Sequence, residues 1–183
     1  ANQAEFLLER AQRLDADNFD PPTRSEVLWK EGLVHHWLGR HDIATQRFEA
    51  AVQRLRTTNT DPSMLAWILA DLAEAQIFAS TAATAIDTGT LAVTQLAEYL
   101  GDDHPDVAAQ RLRVARIYSF AADDARTEVE LLRALEVLAA HPTYRPRMRA
   151  DLYEQLAQTR NNLGRPAEAL QDIEQALAIY RRT

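Results

Sequence analysis

Three of the five histidines in this sequence, His35, His36 and His41, fall within one short stretch, and imidazole is the commonest protein ligand for transition metals. Chelation needs side chains that converge. Neighbouring residues on a helix point about 100° apart around its axis, so His35 and His36 diverge. His41 lies beyond the turn that follows, and the spacing therefore predicts no metal site. The acid pairs Asp102-Asp103 and Asp123-Asp124 could act as general acids or bases. Both fall at predicted turns and helix starts, where carboxylates cap free N–H groups and complement the helix dipole. No HExxH, GxxxxGK[ST], GxSxG or GxGxxG occurs, so the spacings that place a catalytic zinc, cradle a phosphate or expose a serine are missing. The expectation is a chain without catalytic, cofactor-binding or metal-holding residues, and not an enzyme.

Composition says which elements must carry whatever the chain does. Of 183 residues 46% are apolar, enough for a sizeable core. Alanine and leucine dominate, with only five glycines and seven prolines, which favours long helices over turn-rich β architecture. The absence of cysteine excludes disulfides and thiolate sites and suits a reducing cytoplasm. No apolar run is long enough to span a membrane, and the opening ANQAEFLLERAQRL carries charges where a signal peptide needs apolar residues. A net charge of −7 argues against nucleic-acid binding. The charge is uneven: residues 1–104 hold 8 basic and 16 acidic side chains, residues 105–183 hold 12 and 11. An acidic partner should prefer the second half.

Internal repetition organises the chain. Gly32, Ala73, Ala115 and Ala157 recur at steps of 41, 42 and 42, each seven positions before Gly39, Ser80, Ala122 and Gly164. The same steps join Ala44, Ala85, Thr127 and Ala169, and again Ala51, Ala92, Ala134 and Ala176. Columns of small residues mark places where two helices cross closely. Leu28, Leu69 and Tyr153, then Val52, Val93, Leu135 and Leu177, are the large apolar residues expected to fill the core around them. Pro22, Pro62, Pro105 and Pro146 fall where the first helical turn tolerates a missing N–H. These signals predict helix pairs at 22–38 with 41–57, 62–79 with 81–100, 105–120 with 124–140, and 146–163 with 166–182. Residues 2–14 repeat the Ala44–Ala51 spacing at Ala4 and Ala11, as expected for the second helix of a truncated preceding repeat or for a cap.

The pattern resembles the tetratricopeptide repeat (TPR) over residues 22–183. GLVHHWLGRHDIATQRFEAAVQRL and LAQTRNNLGRPAEALQDIEQALAIY match it best, and LGDDHPDVAAQRLRVARIYSF is similar to the longer repeats of kinesin light chains. The resemblance implies a single all-α TPR-like domain, a right-handed superhelical solenoid of antiparallel helix pairs. Its concave groove would bind a protein or peptide, with no cofactor. It further implies the repeat portion of a larger bacterial signalling or regulatory protein, since similar repeats are appended to serine/threonine kinases and transcription regulators. A self-assembly domain, and hence a homo-oligomer, is the alternative.

In the repeat register the groove-facing candidates are Trp29, His36, Trp67, Ile77, Leu112, Arg113, Arg116, Gln158 and Asn161, with Trp37, Phe78, Phe120 and Asn162 beside them. Arg113 and Arg116 share a helix face, where two guanidinium forks could grip ligand carboxylates. Kinesin-light-chain-like repeats often carry groove asparagines that pair with a ligand backbone. Here the third repeat has Leu112 and Arg113 instead, and only the last has Asn161 and Asn162. The second repeat departs at Gly89 within STAATAIDTGT, which makes it the expected weak point. The third departs at Thr127 and lacks a glycine at Ala122.

Overall fold

The computed structural model describes residues 21–57 and 62–182, and all regular structure among them is helical. The helices are α1 (Pro21–Trp37), α2 (His41–Arg56), α3 (Pro62–Ala79), α4 (Ala82–Leu100), α5 (Pro105–Phe120), α6 (Asp124–Ala140), α7 (Pro146–Asn162) and α8 (Pro166–Tyr180). Five of them begin at a proline, whose fixed φ suits the first turn and whose missing N–H would have had no helical partner there. Asp123 caps α6 by accepting from the Arg126 N–H at 3.0 Å. The cap of α5 is His104, whose Nδ1 accepts from the Asp106 N–H at 3.1 Å. α8 closes two residues earlier than the spacing predicted, where the Arg182 N–H tightens to an i−3 bond with the Ile179 carbonyl. The helix expected at residues 2–14 lies outside the described residues.

The chain divides into two compact units, Ala1–Ala92 and Val93–Thr183, with the boundary inside α4. In the first, α2 packs on α1 and on α3. In the second, α6 packs on α5 and α7, and α8 packs on α7. The small-residue columns are the crossing points: Ala73, Ala115, Ala44, Ala85, Thr127, Ala51, Ala92 and Ala134 are all fully buried. Large side chains interlock around them, with Phe48, Ile68 and Leu69 in the first unit and Ile117, Leu131, Leu138, Leu152 and Leu156 in the second. Thr127 occupies a column otherwise filled by alanine because its hydroxyl is satisfied at once, donating to the Asp123 carbonyl at 2.9 Å. α4 runs unbroken through Gly89. One expected core residue is displaced: Leu177 is 46% exposed, on a face of α8 that it shares with exposed Leu170 and Tyr180.

Left-handed turns within helix pairs explain three of the four members of the second small column, Ser80 being the exception. Gly39, Ala122 and Gly164 adopt positive φ of 73°, 57° and 74°. In each turn the next residue's N–H reaches back five positions, Arg40 to His35, Asp123 to Tyr118 and Arg165 to Arg160. This left-handed cap satisfies carbonyls at the helix end and reverses the chain in three residues. Glycine adopts it freely, whereas alanine there is strained by about 1–2 kcal/mol.

Two substitutions test this packing. A Cβ on Gly32 would stand 2.4 Å from the buried Phe48 ring, so Gly32→Ala should destabilise by about 1–2 kcal/mol even after the gain in helix propensity. Ala122→Gly should stabilise by about 0.5–1 kcal/mol, relief of strain exceeding the added unfolded-state entropy. Thermal and urea unfolding of each variant beside wild type checks both signs.

Candidate functional site

Within the first unit the expected face lies on α1 and α3. Trp29 is half-buried, and its indole Nε1 donates to Asp71 Oδ2 at 2.5 Å while the Lys30 ammonium sits 4.5 Å from the ring centroid. The indole thus ties α1 to α3, and its apolar body lies against the core. Trp67 and Ile77 are half-buried on α3. His36 lies at the end of α1, where its Nδ1 is 3.3 Å from that of His41 and its ring is 6.4 Å from Phe78. The expectation that these histidines stay apart is corrected for this pair, since the turn at Gly39 folds His41 back. His35 is only 4% exposed, and burial followed by the charges of Arg40 and Arg47 lowers its pKa.

In the second unit the expected face lies on α5 and α7. Leu112 is 5% exposed and belongs to the core, offering little surface to a ligand. Arg113 is half-buried and Arg116 exposed, one turn apart on α5. Gln158 and Asn161 are exposed on α7. Gln158 Nε2 donates to Asn162 Oδ1 at 2.9 Å, and Asn162 Nδ2 to Asp124 Oδ1 at 3.1 Å, so these amides are partly ordered. The most exposed aromatic side chains are found near the turns: Trp37 at 77%, Phe78 at 57% and Phe120 at 61%, one near the end of each of α1, α3 and α5.

A charge cluster joins α6, α7 and α8, and the repeat spacing gave no sign of it. Arg160 donates from Nε to Glu128 Oε1 at 3.0 Å and from Nη1 to both Asp172 oxygens at 2.9 Å. Arg165 forks Glu128 at 2.9 and 2.7 Å and Glu168 at 2.6 and 2.5 Å. Burial works against the Glu128 carboxylate, but the hydrogen bonds from Arg160 and Arg165 outweigh it and hold its pKa below the usual range. Asp172 is shifted the other way, burial keeping it above the usual range despite Arg160. Among the described residues no group of three or more histidine, cysteine or carboxylate side chains could hold a metal ion.

A tetratricopeptide repeat family profile matches residues 149–183, which include most of α7 and all of α8. No curated protein matches the chain. Among solved structures, TPR-like repeats of a kinesin light chain from Podosopora anserina superpose with a TM-score of 0.80 at 18% identity, over 100% of this chain and 90% of that one. The chain has the fold of tetratricopeptide-like repeats. RapI, in its apo form, shares the fold of these TPR-like repeats with a TM-score of 0.81 at 12% identity, over 96% of this chain and 48% of that one. PlcR of Bacillus thuringiensis, solved with the peptide PapR7 and DNA, gives 0.78 at 13% identity, over 98% and 64%.

The repeat register accounts for the buried small columns, while the charge cluster joins the last three helices. Because Glu128 ionises more readily folded than unfolded, its contribution to stability is full above its unfolded pKa and fades as pH falls through the lower folded value. Glu128→Gln should cost about 1.5–3 kcal/mol at neutral pH, and its deficit against wild type should shrink below about pH 4.5. Paired thermal melts across the acid range measure this; a deficit that stayed constant with pH would contradict it.

Proposed function

We propose that this chain is a protein-interaction module that holds a peptide or helix against its first helices, as the repeat portion of a larger bacterial signalling or regulatory protein in the cytoplasm. The observation that carries the reading is the set of exposed aromatic rings, Trp37, Phe78 and Phe120, recurring near the ends of α1, α3 and α5. Large aromatics held in water lose stability unless something covers them, and rigid aromatic anchors dominate the energetics of protein recognition. Arg113, Arg116, Gln158 and Asn161 would add polar selection, and Trp67 and Ile77, half-buried on α3, would add apolar contact. The complex of PlcR with a peptide, and a TPR-type fold that is typically a non-catalytic binding scaffold, support this reading. No described helix is long and apolar enough to cross a membrane.

Self-assembly is the second reading. It is favoured by α8, where Leu170, Ile173, Leu177 and Tyr180 are 61%, 38%, 46% and 36% exposed at helical spacing. Sedimentation across a concentration series separates the two: a constant monomer mass counts against self-assembly. For the leading reading, Trp37→Ala with Arg116→Glu changes two exposed side chains and should leave the melting curve unchanged. Affinity for a captured partner should fall on the order of tenfold or more, measured by titration against wild type. Equal affinity would remove these residues from the binding surface.

A further inference from the structure

The turn between α1 and α2 brings together two imidazoles that spacing along one helix could not. His36 lies on the last turn of α1 and His41 opens α2, with their Nδ1 atoms 3.3 Å apart. The ring centroids are 5.0 Å apart and the planes meet at 69°, so one Nδ1–H donates to the other Nδ1, which one depending on the tautomer, and an ion would take the place of that proton. Metal–imidazole bonds of about 2.0–2.1 Å meeting near the tetrahedral angle separate two nitrogens by about 3.3–3.4 Å. The observed spacing is that edge.

The rings are also held in place. Gly39, at φ 73°, lets the chain reverse, and the Gly39 and Arg40 N–H groups bond back to the His36 and His35 carbonyls at 3.0 and 2.9 Å. Phe78, from α3, stacks on His41 with centroids 4.5 Å apart and planes 23° apart, and flanks His36. A chelate fixed by a capped turn and an aromatic wall needs little ordering when an ion binds.

We infer that His36 and His41 form a two-imidazole site for a divalent late first-row transition ion such as zinc or nickel. The remaining coordination positions are open to water or to a donor from a bound molecule. Neutral imidazole suits these ions, whereas magnesium and calcium require oxygen ligands. With two protein ligands the site is exchangeable rather than a structural closed centre. The inference concerns an ion and does not rest on the proposed peptide binding.

The test is a zinc titration of the intact chain, followed by calorimetry and by the imidazole nitrogen resonances. One saturable ion per chain is expected, moving the Nδ1 signals of His36 and His41, which pair with each other, ahead of those of His104 and His141, whose Nδ1 atoms engage the backbone at the Asp106 N–H and the Val137 carbonyl. Losing even a hydrogen-bond partner of a ligand weakens metal sites about 10–100-fold, so His41→Gln and His36→Gln should each weaken binding at least about tenfold, while His104→Gln does not. Absence of saturable binding up to about 1 mM zinc, binding as tight as wild type by either His36→Gln or His41→Gln, or first movement at His104 or His141 overturns the site. The wild-type resonances decide the question even where a variant folds poorly.

Discussion

The closeness of neighbouring helices is the constraint on which the other features depend. Two helices can approach at the crossing only where a side chain is small enough to let the opposite ridge enter. Here Gly32 lies directly under the Phe48 ring, and alanines occupy equivalent crossings with no exposed surface. Close crossings in turn require short connections, and three of the four within helix pairs use a left-handed residue, Gly39, Ala122 and Gly164. Packing and turn geometry are therefore one requirement seen at two places in three of the four repeats, the turn at Ser80 closing without a left-handed residue. Ala122 shows how strong it is, because the backbone takes the left-handed conformation without a glycine there.

Where apolar packing is thin, ion pairing takes over. The buried side of α8 consists of Ala169, Asp172 and Ala176, which offers few methylene groups to α7. Asp172, buried and forked by Arg160, supplies a directional link instead, and Arg160 and Arg165 share Glu128 from α6. A buried carboxylate alone would be unfavourable, as its raised pKa shows. Within a network whose guanidinium groups bond several carboxylates the desolvation is offset and the helix orientation is fixed.

The fold was legible in the sequence because its determinants recur: a step of 41 or 42 residues placed the small columns, the prolines and the turns together, and the helix ends follow from them to within a residue or two. The surface was less legible. Leu112 and Trp29 both fall in groove-facing columns, yet Leu112 is core and the Trp29 indole is held by Asp71, since helical register gives a direction but not what lies along it. Leu177 fits an apolar core column but is exposed, because periodicity marks an apolar face without saying which faces are covered. The Arg160 network joins residues 12 to 37 positions apart across three helices, and no local pattern specifies such pairs. The His36–His41 approach was missed for a related reason. The 100° rule applies along one helix, and these two residues sit on either side of a chain reversal.

That reversal also explains why function would gather at the helix ends. Mid-helix positions on α1, α3, α5 and α7 are constrained on the core side by the crossings and, at Trp29, by a cross-helix hydrogen bond. Residues in the last turn stand beyond the crossing, so Trp37, Phe78 and Phe120 can face water without disturbing a small column. The same turns bring in the first residue of the following helix, which is how His41 comes to lie against His36 and Phe78. Side chains there can change with little effect on the core, while the left-handed cap keeps the backbone beneath them fixed. A fold with this division can acquire recognition chemistry at its turns and keep its stability at its crossings.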